Sequence, residues 1–368
     1  MAIHFALITY VDSSLLKKFV EDNTLSILYA AGSLLGVFSL FLTPFLFRKY
    51  GSIPVFLSFI ALGALAIFGM GSFNTAILIV ILFLIHIAVG PMLYFCLDIS
   101  MEQETKIEGT TGSKRGILLT FSNLAWVISP LALSFLMIQN SFSKVYFLSG
   151  IILIPLFFLV GIFFKNTKKA TGTDSDIFLA IRSLQKGGDK ARITGVQFML
   201  NFFYAWMIIY MPLLLSKEMG FGWDKIGMIF TIMLLPFVIL ELPVGFLADK
   251  KFGEREILIA GFIIMSLATF IIPIISAPAF WIWAAVLFAT RIGASLIEIS
   301  SESYFFKHVK ADDTGAISLF RIVRPLSYVI APLLALPIIY FFSYSTSFYF
   351  LAFFTLLGLF FIPKVDTK

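Results

Sequence analysis

Long runs of this chain are apolar around the whole helical circumference rather than along one face, which is how helices surrounded by lipid read. A hydrocarbon core about 30 Å thick takes about twenty residues of helix to cross. Runs of that length recur from one end of the chain to the other, at about 1–16, 24–47, 53–72, 75–100, 116–138, 144–164, 194–216, 225–248, 256–275, 279–303, 316–340 and 344–363. The chain is 60% hydrophobic and 13% charged, against about 25% charge in a soluble protein. With 44 Phe the apolar surface exceeds what one soluble core can absorb. The reading is an all-α integral membrane protein of twelve spans.

The first run, 1–16, is short for a span. It is either a stunted helix or one whose start lies upstream of Met1, and the full length of the other runs favours the second. No basic stretch precedes it and no small-residue cleavage site follows, so it does not read as a signal peptide.

Most connections are short. The exception, 165–193, is polar and basic, and it divides the chain into a bundle at 1–164, a linker and a bundle at 194–368. Within the linker Asp174-Ser175-Asp176 can cap a helix, Ile177, Ile181 and Leu184 follow at helical spacing, and Gly187-Gly188 stops it. That pattern reads as a short amphipathic helix on the membrane surface.

The net charge of +6 is carried by loops between apolar runs, not by a nucleic-acid-binding face. Placing the N-terminus in the cytoplasm gathers Arg48, Lys49, Lys114, Arg115, the linker's basic residues, Lys250, Lys251, Arg255, Lys307 and Lys310 on the inside. Only Lys17, Lys18, Lys144, Lys217 and Lys225 then lie outside. This is the positive-inside pattern, and it puts both termini of a plasma (cytoplasmic) membrane protein in the cytoplasm.

Short stretches repeat in order across the two halves, offset by 200 to 202 residues. Leu97-Asp98-Ile99-Ser100-Met101-Glu102 returns as Ile297-Glu298-Ile299-Ser300-Ser301-Glu302, Arg48-Lys49-Tyr50-Gly51 as Lys250-Lys251-Phe252-Gly253, and Ser129-Pro130-Leu131 as Ala331-Pro332-Leu333. A helical membrane unit present twice is a common build for a transporter, with the site expected where the copies meet.

The turn Gly245-Phe246-Leu247-Ala248-Asp249-Lys250-Lys251-Phe252-Gly253-Glu254-Arg255 resembles the signature loop of the major facilitator superfamily, a Gly-x-Leu-Ala-Asp-Arg/Lys stretch closing on Gly and a basic residue. The resemblance implies two six-helix bundles and a loop that latches the cytoplasmic side in one conformation. Gly245, Asp249, Lys250, Lys251, Gly253 and Arg255 carry it. The first-half copy, Pro44-Phe45-Leu46-Phe47-Arg48-Lys49-Tyr50-Gly51, lacks the leading Gly and the Asp, which puts a latch in that half in doubt. Ala125, Ser129 and Pro130 resemble a small-residue and proline motif of the family's exporters, with both glycines replaced; close packing and a kink explain them as well.

Charges inside spans cost about 2.5–3.5 kcal/mol each on insertion scales and need a reason. Arg291, Ser295, Glu298 and Glu302 form one helical stripe. Arg291 is either an anchor for an anionic or carbonyl-bearing substrate or the partner of Glu241 in a structural ion pair. Asp98 and Glu102 mirror Glu298 and Glu302 near the cytoplasmic ends. With Arg321, Arg324, Lys114 and Arg115 they suggest ion-pair clusters at an inner gate, as the resemblance also implies. Gln197, Asn201 and Tyr204 share a face, as do Asn123 and Trp126; both sets suit a moderately polar ligand or interhelical hydrogen bonds. Asp12 and His86 are candidates for carrying a proton.

Nothing resembles a phosphate-cradling loop, and His4, His86 and His308 lack metal-ligand spacing, so neither nucleotide drive nor a metal or other cofactor is expected. Cys96, the one cysteine, cannot form an internal disulfide. The expected function is secondary transport of a small molecule by alternating access, with proton-coupled efflux as one form. The partners are the bilayer, the substrate and protons, and the protein acts as a monomer, not as an enzyme. The alternative is a non-transporting protein on the same scaffold, such as an assembly helper or sensor.

Overall fold

The computed structural model describes residues 1–108, 111–137, 141–164, 188–240, 243–244, 253–308 and 314–364, with the side chains of 44, 98–108, 111–120, 306, 308, 314–319 and 321 not among those described. The expected linker helix therefore lies outside the described residues. Among those described there is no strand, and every one of the twelve apolar runs is occupied by helix. Nine helices there are long and apolar enough to cross a membrane, and Phe121–Leu136 is a shorter apolar one.

The chain divides into two compact units, Met1–Asp174 and Ser175–Lys368. The first contains α1 (Ala2–Ile8), α2 (Asp12–Leu16), α3 (Asp22–Tyr50), α4 (Ser52–Ser72), α5 (Ala76–Glu108), α6 (Thr111–Leu136) and α7 (Phe142–Phe163). The second contains α8 (Asp189–Leu213), α9 (Trp223–Ile239), α10 (Glu254–Ile271), α11 (Phe280–His308), α12 (Thr314–Phe341) and α13 (Tyr344–Leu356).

The first apolar run is two helices rather than one. α1 ends at Ile8, where the Thr9 hydroxyl donates to the Phe5 carbonyl (2.6 Å) and Val11 N–H to that of Ile8 (2.8 Å). The turn over 9–11 lets α2 begin with Asp12 in its first turn, where a carboxylate suits the helix dipole. Lys17 then pairs with Asp22 (2.8 Å), tying α2 to the start of α3.

In the first unit α4 packs on α5 and α7, α3 on α5, and α1 on α6 and α7. An apolar cluster including Phe5, Phe47, Phe56, Val89, Met92 and Leu153 fills the space between them.

In the second unit α10 and α11 make the closest crossing. A Cβ on Gly293 would stand 2.4 Å from Met265 N and 2.6 Å from Gly261 O, so only glycine lets these backbones meet. α8 is buried on nearly all sides, with Phe202, Phe203, Trp206, Ile209 and Tyr210 at 0–1% exposure, so it is the unit's central helix.

Pro212 withholds a backbone donor late in α8, and a π-helical turn, Leu214–Glu218, follows. That turn brings Glu218 to the start of α13, where it accepts from Tyr344 N (2.8 Å) and Ser345 N (3.2 Å). At the opposite end of α8, Asp189 accepts from Lys364 N (3.2 Å) and Arg192 donates to the Ile362 carbonyl (3.2 Å).

Candidate functional site

Two buried polar clusters stand out, one in each unit. In the first, α2, α5, α7 and α1 bring Asp12, His86, Tyr146 and His4 together. Tyr146 donates to Asp12 Oδ1 at 2.6 Å across 134 residues of sequence. Asp12 Oδ2 lies 3.9 Å from His86 Nε2, with both side chains 5% exposed or less. The His86 ring stands edge-on to that of His4, centroids 5.7 Å apart.

Ser149 fixes His4. Its hydroxyl donates to the His4 carbonyl (3.1 Å), while His4 Nδ1 lies 2.7 Å from Ser149 Oγ and 3.2 Å from the Ser149 carbonyl. A carbonyl can only accept, so this network assigns the proton to Nδ1. His4 Nε2 is then a buried basic atom without a hydrogen-bond partner among the described residues. The sequence nominates Asp12 and His86 from different helices; the structure places Oδ2 of one 3.9 Å from Nε2 of the other. His4, Tyr146 and Ser149 are not legible as part of the set, since each looks like an isolated packing residue in its own helix.

The second cluster joins α8 and α11. Arg291 is 1% exposed. Its guanidinium carbon lies 5.0 Å from the Phe203 ring centroid and 5.4 Å from that of Tyr204, so two aromatic faces partly offset the charge. Among the described residues its Nε and Nη1 have no hydrogen-bond partner. The Tyr204 hydroxyl donates a hydrogen bond to Glu298 Oε2 at 2.7 Å, and the Phe237 ring stands edge-on to that of Tyr204 at 6.2 Å. Ser301 donates to Gln197 Oε1 (3.2 Å), and Asn201 Nδ2 to the Gln197 carbonyl (2.8 Å). Across α8 and α11, Tyr204 thus meets Arg291 and Glu298, and Gln197 meets Ser301. Ser295 instead bonds back to the Ile292 carbonyl (2.9 Å).

Asn123 and Trp126 lie half-buried on α6 of the first unit. Glu302 is half-buried and Arg324 exposed. Glu241, Gly245, Asp249, Lys250 and Lys251, and the side chains of Asp98, Glu102 and Arg321, lie outside the described residues. Of the signature loop, Gly253 is buried at φ 79°, and Arg255 is exposed and reaches the Lys364 carbonyl at 3.5 Å. The residue between them is one that spacing does not single out. Glu254, at 0% exposure, takes Lys307 Nζ (2.5 Å) and the Ser303 hydroxyl (3.0 Å), joining the start of α10 to the end of α11.

Among the described residues, helices of membrane-spanning length with buried charge held between them define a polytopic membrane protein. The sequence model for the Major Facilitator Superfamily matches residues 193–368. Nearly the whole chain superposes on solved transporters of that fold. The nucleoside transporter NupG aligns with TM-score 0.77 and 13% identity, over 98% of this chain and 95% of that one. The POT family transporter PepTSo gives 0.76 and 9%, over 98% and 94%. The human organic anion transporter MFSD10 (TETRAN) gives 0.67 and 12%, over 98% and 96%. No curated protein matches the sequence. Residues 193–368 thus match this family by sequence, and nearly the whole chain shares the fold of these solved transporters.

Proposed function

We propose that this protein is a proton-coupled secondary transporter that moves a small molecule by alternating access. It is read as lying in the cytoplasmic membrane with both termini inside, as a bundle at 1–164, a linker at 165–193 and a bundle at 194–368. The observation that carries the coupling is the placement of Asp12 Oδ2 3.9 Å from His86 Nε2. A carboxyl, an imidazole and the unpartnered Nε2 of a second imidazole form a relay in which a proton changes holder without crossing lipid. The titratable groups that meet Asp12 are His86 on α5 and Tyr146 on α7, with His4 on α1 next to His86.

In the second unit substrate contact falls to Arg291, Tyr204, Asn201 and Gln197; Asn123 and Trp126 are the cavity candidates of the first unit, taken by itself. Glu254 and Lys307, together with Glu298, Glu302 and Arg324, act at the inner gate. The proline and small residues of α6 support export.

The test is flux into proteoliposomes from a labelled metabolite panel, under pH gradients of both polarities. At least one compound is expected to move with the gradient in the wild type. Asp12→Asn is expected to keep exchange of that compound at equal concentrations and to lose gradient-driven accumulation. Flux that ignores the gradient would remove the coupling.

A further inference from the structure

Arg291 is a buried cation in the second unit whose Nε and Nη1 donors meet no acceptor among the described residues. The rings of Phe203 and Tyr204 stand beside it there. Ring faces attract a cation but supply no anionic oxygen, and a charge taken out of water without a hydrogen-bonded counter-anion is costly. The acid described in the same cluster, Glu298, takes the Tyr204 hydroxyl at 2.7 Å. It also lies seven residues along α11, about 10 Å from Arg291 by helical rise.

We infer that Arg291 is the anchor of an anion-binding site, and that its ligand is an organic monoanion presenting a carboxylate on an apolar or aromatic body. This rests on the transporter reading above and names the substrate class of that site.

Three features select the class. Planar N–H donors match carboxylate oxygens in distance and direction. The walls are aromatic, Phe203 and Tyr204 with Phe237 behind, and receive a flat apolar body better than a hydrated inorganic ion. Glu298, held in the same cluster, repels a second negative charge and so favours one charge over two. The hydroxyl of Tyr204 is committed to Glu298, which leaves the guanidinium as the group that recognises the anion.

The experiment measures thermal unfolding of the full-length protein in detergent, titrated with benzoate and with its neutral amide, benzamide. Benzoate is expected to raise the midpoint in a saturable way and benzamide to leave it unchanged. Arg291→Gln is expected to weaken the apparent Kd for benzoate at least about tenfold, the scale of one charge-assisted hydrogen bond. Should that variant not give a monodisperse protein, Arg291→Lys is read instead, with a smaller weakening expected because charge stays and the planar fork is lost. Equal responses to benzoate and benzamide, no saturable response in the wild type, or a wild-type response in whichever variant is read would overturn the assignment. So would stabilisation by phosphatidylglycerol alone, which would make the ligand a lipid headgroup. The assay is at equilibrium without a pH gradient, so its failure is separate from failure of proton coupling, which the flux experiment reads.

Discussion

Gly51 and Gly253, matched positions of the internal repeat, hold the same backbone conformation: φ 93°, ψ 160° and φ 79°, ψ 161°. Each closes a turn and stands at the N-cap of the helix that follows, α4 or α10. Residues with a Cβ are strained there. This explains why the glycine survives in the first copy, where the Gly and Asp at the head of the signature loop are gone. The turn is a backbone requirement of each half, separate from any latch.

Gly51→Ala and Gly253→Ala are each expected to lose about 1–3 kcal/mol of stability from the positive φ, read as lower unfolding midpoints in detergent. Unchanged midpoints in both variants would contradict the shared turn.

The crossing of α10 and α11 gives a sharper steric prediction. A Cβ at Gly293 meets backbone atoms of Met265 and Gly261 at 2.4 and 2.6 Å, while one at Gly63 finds its nearest neighbour, a Val89 methyl, at 3.6 Å. Gly293→Ala is therefore expected to cost about 1–3 kcal/mol by overpacking. Gly63→Ala is expected to be near neutral in the same unfolding measurement.

Lys307 is 40% exposed and its partner Glu254 fully buried. The pair should be worth something because one end is dry and Ser303 holds the carboxylate as well. A double-mutant cycle with Glu254→Gln and Lys307→Met is expected to give a coupling of about 0.5–3 kcal/mol. Purely additive effects would mean that the ends of α10 and α11 are held by packing alone.

Removing the Tyr146 hydroxyl takes the 2.6 Å donor from buried Asp12. Tyr146→Phe is expected to cost about 1–3 kcal/mol. Asp12→Asn should cost less, since its amide oxygen still accepts that bond. A larger loss in Asp12→Asn than in Tyr146→Phe would show that the charge, not the hydrogen bond, is what the fold depends on.

Full-circumference apolarity, span length and the repeat made the helical membrane fold legible, because lipid leaves few other ways to satisfy a backbone. The α8–α11 cluster was partly legible too, since Arg291 and Glu298 share a helical face and Tyr204 sits in a polar run. The break at 9–11 was not: one short apolar run looks the same whether it is one helix or two. Nor was the His4–Ser149 contact, which depends on how α1 packs against α7 and leaves no trace in spacing. Glu254 stood inside a recognised motif, but only the end of α11, arriving at Lys307, gives it a role.

The most direct test of transport by alternating access is reagent access to a single cysteine at Asn201, on α8 one turn from Tyr204, with Cys96 replaced by Ala. Membrane-impermeant thiol reagents would be applied to right-side-out and inside-out vesicles. Labelling from both sides is the predicted result. Labelling from one side only, or from neither, would contradict alternating access and leave a helical membrane protein that does not open its buried charge to both compartments.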